Sequence, residues 1–404
     1  MANALLTPDM IAKEALVHLK NNLVMARSVH RDYKKEFHKV GDTVSIRRPV
    51  KFVASTGATR SNQDITEGST AITVDQQKHV SWSYTSADMT LSIEEYGKRY
   101  VEPAMITLAN TIDVAVADNY KDVWNWVGTP GQTINSFSDF SKGPQRLDEM
   151  SVMADRRFGA LSPADGYGLL STQTALQSDK LVVGAYEEAR LGRVANAMAF
   201  STQNVQTHTV GAHGGTPLVN GGSQNDTYAA TKATGESSLV TDGWTASTAV
   251  LTQGDVFTLA NVYAVNPVSK AVLPYLQQFV VKAAASSDGS GNATLTVSPA
   301  IISSGAYQTV SATPADNAAI TVLGTASTGY SSNLIMHPNA FALVVCPLEQ
   351  PDGAQGSTQS MDGLSVRVVK DYDIDEDNNI IRLDVLFGTK AIYPDLATRI
   401  SGTA

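Results

Sequence analysis

The stretch Val101-Glu-Pro-Ala-Met105-Ile-Thr-Leu108-Ala-Asn-Thr-Ile112-Asp-Val-Ala115 carries the clearest periodicity in the chain. Its apolar residues Val101, Met105, Leu108, Ile112 and Ala115 return every three or four positions, and Val123 extends the stripe until Gly128-Thr-Pro130 stops it. One face of an α-helix repeats in this way. Some 25 residues at the standard rise make a rod about 37 Å long, long enough to serve as the backbone of a domain.

N-terminal to the rod the period switches to two. Thr43-Val44-Ser45-Ile46, Ala71-Ile72-Thr73-Val74 and Val80-Ser81-Trp82-Ser83-Tyr84 alternate polar and apolar residues around a Gly/Ser/Thr/Asn-rich stretch from Ser55 to Ser69. The expected element is a long β-hairpin whose tip carries Arg60, Asp64 and Glu67. A hairpin of that length is unstable alone and must lie on something. Further back, Thr7-Pro8 is a good helix start, and Ala12, Leu16, Leu19 and Leu23 follow at helical spacing. This predicts an amphipathic arm whose basic end, Arg31 to Lys39, runs into a turn at Gly41-Asp42.

C-terminal to the rod, shorter helices are expected over Leu147 to Phe158, closed by Gly159, and over Thr172 to Arg190. The character changes at Gly211-Ala-His-Gly-Gly-Thr-Pro217. From there to about Tyr330 the chain is poor in charge and rich in Ala, Ser, Thr and Gly, with β-like runs such as Val256-Phe-Thr-Leu259, Gln278-Phe-Val-Val-Lys282 and Ala293-Thr-Leu-Thr-Val297. Asp288-Gly-Ser-Gly-Asn292 is a strong turn signal between the last two. The prediction is an inserted all-β domain of about 115 residues, a small barrel or sandwich. Beyond it, Asn333 to Cys346, Leu364 to Lys370 and Ile380 to Phe387 are expected to be strands completing the host domain, with Asp375-Glu-Asp-Asn-Asn379 as a turn.

Composition narrows the function classes. The chain has 404 residues, more than one core usually organises, with 43% hydrophobic and 17% charged residues; soluble chains usually carry about 25% charged. Such a surface is expected to be covered by other copies of the chain. The net charge of −9 argues against phosphate-gripping as the main task. The charge is uneven: residues 1–51 hold ten Lys/Arg against five acids. Either these opposite poles favour head-to-tail association or the basic face is simply solvated. Met1-Ala-Asn-Ala-Leu5 shows no basic, apolar export signal, so synthesis in the cytoplasm is expected.

The search for chemistry is negative. Of seven histidines only His208 and His213 are close in sequence, and their spacing fits neither a helix face nor alternate strand positions, so ordinary loop histidines are expected and no metal. There is no Gly-x-Ser-x-Gly elbow and no phosphate loop, since Gly211-Ala-His-Gly-Gly-Thr lacks the Lys and the following helix. Cys346 lies in the apolar run Phe341-Ala-Leu-Val-Val-Cys346, the wrong setting for a nucleophile and the right one for a buried thiol. The acidic run Asp371, Asp373, Asp375, Glu376, Asp377 lacks the central Gly of a calcium loop and is expected to be a solvated turn. Trp124 and Trp126 are expected to anchor a core or an interface. No active site and no cofactor is expected.

A resemblance joins these parts. Gly184-Ala-Tyr-Glu-Glu-Ala-Arg-Leu-Gly-Arg193 with Phe200-Ser-Thr-Gln-Asn-Val-Gln-Thr-His-Thr-Val-Gly211, then Gly254-Asp-Val-Phe-Thr-Leu259, Val262-Tyr-Ala-Val-Asn-Pro267 and Asp288-Gly-Ser-Gly-Asn-Ala-Thr-Leu295, resemble tailed-bacteriophage major capsid proteins. The similarity is to the subgroup of short-tailed-phage coat proteins that carry an inserted β-barrel on the α+β Hong Kong 97-type fold. The resemblance implies an N-terminal arm at 1–40, an extended loop at 41–90, a peripheral domain with the spine helix at 91–146, the first part of an axial domain at 147–211, the inserted barrel at 212–329, and returning axial and peripheral strands at 330–404. It further implies hexamers and pentamers closing into an icosahedral head, a scaffolding protein, a portal protein, and double-stranded DNA packaged without sequence-specific binding. No membrane partner is expected. Arg47, Arg48, Lys51, Arg60 and Glu67 on the extended loop are the expected inter-subunit contacts. An encapsulin-like compartment is the alternative, and an extracellular surface or adhesin protein a more distant one.

Overall fold

The computed structural model of the chain describes residues 8–31, 43–85 apart from 55, 59, 61 and 64, 97–173, and 191–403 apart from 352, 354, 362 and 374–377. The expected helix beyond Gln173, the stretch 184–190, most of the basic run 31–39, Asp64, and the turn at 375–377 lie outside the described residues. Internal contacts divide the chain into two units: 1–45, 71–117 and 341–390 form the first, and 46–70, 118–340 and 391–404 the second.

In the first unit, helix α1 (Pro8–Asn22) packs on helix α2 (Glu102–Ala117). The apolar stripe of α1 (Ile11, Ala12, Ala15, Leu16, Leu19) is buried together with Met105, Leu108, Ala109 and Ile112 of α2. Pro8–Asn22 is therefore part of its own unit's core. Asp113 of α2 is buried as well, and its two carboxylate oxygens accept the N–H groups of Val24 (2.7 Å) and Ala26 (2.9 Å). Burial pushes its carboxyl above the usual range, with those N–H groups pulling the other way.

The expected rod is wound in three ways: a π turn at Gly97–Val101, the α-helix Glu102–Ala117, and a 3-10 turn at Asp118–Asp122. The buried stripe runs through Val116 and Ala117, and Ala115 is only half-buried.

The sheet of this unit joins Gln76–Thr85, Asn378–Ala391, Leu364–Asp373 and Gln355–Met361, with Phe341–Cys346 also joined to Asn378–Ala391. Val80 to Tyr84 therefore leaves the hairpin expected for it, pairing Val80 with Leu383 and Trp82 with Ile381. The apolar run Ile381, Leu383, Val385 is the better partner because it buries almost completely. Asp384 in the same strand is fully buried and accepts hydrogen bonds from Arg367 (2.8 Å) and Arg382 (2.8 Å). Burial works against its charge, yet these two guanidinium groups hold the carboxyl below its usual value.

In the second unit, a floor sheet runs Trp126–Val127, Ala397–Ile400, Asn333–Met336, Arg157–Leu161, Ala197–Ser201, Gly192–Val194. Helices α3 (Phe137–Glu149) and α4 (Pro163–Gln173) accompany it, with Phe140, Leu147, Leu161, Leu169, Ile335 and Ile400 forming one core. The helix expected over Leu147 to Phe158 is corrected here: it starts ten residues earlier, at Phe137, and Arg157–Leu161 is a strand parallel to Ala197–Ser201. The cap that fixes the start is Ser136, whose Oγ accepts the Asp139 N–H at 3.1 Å. Gly143-Pro144 looks like a breaker, but a side chain on Gly143 would collide with Ile335 and Ile400, so glycine is what lets the helix sit on the sheet. The strand expected over Asn333 to Cys346 is split at His337-Pro338 into Asn333–Met336 and Phe341–Cys346, as a proline without an N–H dictates.

The same unit holds a six-stranded barrel: β1 (Gly215–Val219), β2 (Ser237–Trp244), β3 (Val256–Val265), β4 (Val272–Val281), β5 (Ala293–Ser298) and β6 (Ile320–Val322), hydrogen-bonded in the order β6-β3-β4-β5-β2-β1. A bridge between Leu218 and Ala319, with Val219 N–H donating to Ala318 O (3.0 Å), closes the ring. Alternate residues point inward, so Leu239, Phe257, Leu259, Phe279, Val281, Leu295 and Val297 share one apolar core. The chain enters and leaves through a neck, a two-stranded ribbon of Thr207–Thr209 against Gly329–Ser331.

Candidate functional site

The extended loop is where the expected contact residues lie. Its strands Thr43–Arg47 and Ser69–Thr73 pair as expected, and Arg48 N–H donates to Gly68 O at 2.7 Å. Arg47 and Glu67 meet within one chain, Nη1 to Oε2 at 3.0 Å, with side chains 81% and 48% exposed. Such an open pair contributes about 0–1 kcal/mol. Arg48 Nε donates to Thr70 Oγ1 at 2.7 Å. Lys51 is tied through its backbone: its N–H donates to the Tyr307 hydroxyl (3.2 Å), which donates in turn to Thr66 O (3.1 Å). Tyr307 is stacked on Tyr228 with ring centroids 3.4 Å apart, so the base of the loop is clasped to a barrel connection. Of the five expected residues only Arg47 and Glu67 meet each other among the described contacts, and Arg60 is exposed.

Sequence reasoning gave these charges the leading part and passed over the apolar residues between them. Phe52 and Ile65 are 60% and 69% exposed, while the Gln63 side chain braces Val53 by accepting its N–H (3.0 Å) and donating to its O (2.5 Å). The signal was available, since large apolar residues are rare in a Gly/Ser/Thr-rich loop and have nothing of their own to bury against.

A second cluster lies at the root of the barrel. His208 in the neck is buried, with Nε2 2.7 Å from Asp255 Oδ1 and Nδ1 3.1 Å from the Tyr120 hydroxyl. Because a carboxylate only accepts, Nε2 donates to Asp255, and Nδ1 faces the Tyr120 hydroxyl. This corrects the expectation of an ordinary loop histidine. Asp255 Oδ2 also accepts N–H groups from Gly211 (3.0 Å) and Thr252 (2.7 Å). The buried Arg399 donates to Gly254 O at 2.8 Å, and its guanidinium lies 5.1 Å from the Tyr120 ring centre and 5.4 Å from that of Trp126. Burial pulls Arg399 down to about 10 and pushes Tyr120 up to about 12.

Tyr, His and Asp in series could relay a proton, but each is at most 3% exposed, so no substrate reaches them. No group of three His, Cys, Asp or Glu side chains among the described residues could hold a metal. Cys346 is buried. Trp124 and Trp126 pack with Val256 and Val280, an anchor of the expected kind. A cleft of about 210 Å³ beside Tyr228 and Tyr307 is smaller than usual ligand pockets. Among the described residues the geometry offers exposed surface on the extended loop and buried bracing at the root of the barrel.

A family model described as "P22 coat protein - gene protein 5" matches residues 2–402. The major capsid protein of Acyrthosiphon pisum secondary endosymbiont phage 1 is 23% identical over 287 residues, 68% of each chain. Among solved structures, a chain of Mycobacterium phage Che8 is similar over 93% of this chain and 90% of its own, with a TM-score of 0.47 and 14% identity. The CUS-3 coat protein I-domain is similar over 28% of this chain and 98% of its own, with a TM-score of 0.20 and 24% identity.

Proposed function

This chain belongs to the P22 coat protein family and is a phage major capsid protein, a subunit of the multimeric shell of a virion, and on that premise we propose how the shell is built. The subunits form hexamers and pentamers that close into an icosahedral head around double-stranded DNA. The chain is made in the host cytoplasm, assembles with a scaffolding protein and a portal protein, and catalyses no reaction. Residues 1–40, 41–90, 91–146, 147–211, 212–329 and 330–404 act as arm, extended loop, peripheral domain, first axial part, inserted barrel and returning strands.

The extended loop supplies the contacts between subunits, with Arg47, Arg48, Lys51, Arg60 and Glu67 at the interface. The observation that favours this reading is a loop that is braced at its base by Tyr307 yet leaves Phe52, Arg60 and Ile65 in solvent. A solitary molecule gains nothing from that exposure, and a neighbour would cover it. The acidic balance of the chain fits a container, because a lumen rich in Lys and Arg would hold DNA fast during filling.

Negative-stain microscopy of the purified chain is the test. Closed particles or open sheets of repeated capsomers are expected. A compact monomer that persists at high concentration would end the proposal.

A further inference from the structure

The barrel meets its floor through the apolar cluster of Trp124, Trp126, Val256 and Val280 and, beside it, through a set of buried polar groups that apolar packing alone does not require. Replacing buried ionic groups by apolar ones of similar volume is often neutral or favourable for stability. Arg399 makes the point: it is fully buried, donates one hydrogen bond to Gly254 O, and its Nε and Nη2 have no hydrogen-bond partner among the described residues. The other polar groups of the joint are as directional. Gln278 of β4 grips the Trp126 backbone twice, accepting its N–H and donating to its O, both at 2.7 Å. Lys282, just past β4, pairs with Asp122. His208, in the neck and opposite Tyr330, is held between Asp255 and Tyr120. The neck itself is only three residues wide on each strand, too slight to fix an angle.

We propose that His208, Asp255, Arg399 and Gln278 form an orientation lock, a set of positioning residues that fixes the angle of the barrel on the floor sheet and is separable from the folding of either part. Hydrogen bonds between defined donors and acceptors tolerate one relative orientation, whereas an apolar joint tolerates sliding. The inference rests on the fold and is independent of how the shell is assembled.

Hydrogen exchange on the full unassembled chain tests it, with Arg399→Met and His208→Gln as variants. The neck reporters are the N–H groups of Val210, which donates to Thr328 O, and Ser332, which donates to Gln206 O. The core reporters are the N–H groups of Phe257 and Leu295 inside the barrel. In both variants the neck reporters are expected to exchange at least tenfold faster while the core reporters stay within twofold of the parent. Unchanged neck rates would overturn the lock. So would core rates that rise in step with the neck, or failure of both variants to fold, because the joint would then be part of the folding core and not a lock on it.

Discussion

The core of the barrel and its root lie within one unit and are built on opposite principles. Inside the barrel, Leu239 faces Leu295 across β2 and β5, and Phe257 faces Phe279 across β3 and β4 with ring centroids 5.8 Å apart. At the root, the partners are charged or polar and come from distant parts of the sequence: Tyr120 to His208 spans 88 residues, His208 to Asp255 47, and Arg399 to Gly254 145. Apolar packing is non-directional and sets how firmly the barrel is folded. Hydrogen bonds are directional and set where it points.

The largest effects should separate these two roles. Phe279→Ala removes a fully buried ring from the core and is expected to cost about 4 kcal/mol, measured by urea unfolding followed through the fluorescence of Trp244, a member of the same core. Asp255→Ala strips the root of its carboxylate, leaves the His208 ring and the Gly211 and Thr252 N–H groups without that acceptor, and removes one of the charges that favour the buried Arg399, at about 3 kcal/mol. The two should differ in where the damage appears: throughout the barrel strands in the first, and at the neck in the second. Equal loss of exchange protection everywhere in both would erase the distinction.

The difference also decides what could be read from the sequence. The barrel core was legible because strands alternate inward and outward locally, so Val256-Phe-Thr-Leu259 and Ala293-Thr-Leu-Thr-Val297 announce their inward faces without knowledge of their partners. The spine helix and the late strands were legible for the same reason. The root was not, because a lone His208 or Arg399 carries no local mark of burial, and its partners meet it only after the fold brings them together. The misplaced helix at Leu147 failed differently. Gly143-Pro144 is a breaker by propensity, and only the packing of Ile335 and Ile400 shows why the helix continues through it. The loop residues were read from the sequence as contacts to a neighbouring subunit, so the pairing of Arg47 with Glu67 of its own chain was not foreseen, and the clasp by Tyr307, 256 residues from Lys51, had no local signal.

Smaller perturbations sharpen the contrast. Thr241 is a fully buried hydroxyl on the inward face of β2, donating to Ala293 O (2.7 Å) and accepting the Trp244 indole N–H (2.8 Å). Thr241→Val keeps the shape and removes both bonds, so a loss of about 1.5 kcal/mol is expected in the same urea measurement. The root should show a smaller response to alkali. Tyr120 has a folded value near 12 against an unfolded value of 10.0, so the folded state keeps its proton longer. That contribution is complete below pH 10 and is lost as pH rises through 12, since ionisation in the buried site is disfavoured. Tyr275 is raised to about 12 as well and shares this window. Tyr120→Phe should therefore reduce, without abolishing, the fall in melting temperature between those limits.

The least effect on the folded chain is expected at Arg47. Its pair with Glu67 is open to solvent, so Arg47→Glu should change the stability of the monomer by less than about 0.5 kcal/mol. The extended loop is nevertheless the segment proposed to make the contacts between subunits, and a shell repeats each contact over every copy. A small loss per contact then becomes a large loss per particle. Charge reversal at Arg47 is expected to lower the yield of closed particles severalfold in quantitative microscopy while the melting curve of the monomer stays in place; adding reversal at Arg48, which also loses its bond to Thr70, is expected to lower the yield further at some cost to the monomer. Here the contrast of core and root meets its limit, because the residue that matters least to the folded chain would matter most to the assembly. Unchanged yield would withdraw these arginines from the interface and leave the exposed Phe52 and Ile65 as the surface that a neighbour must cover.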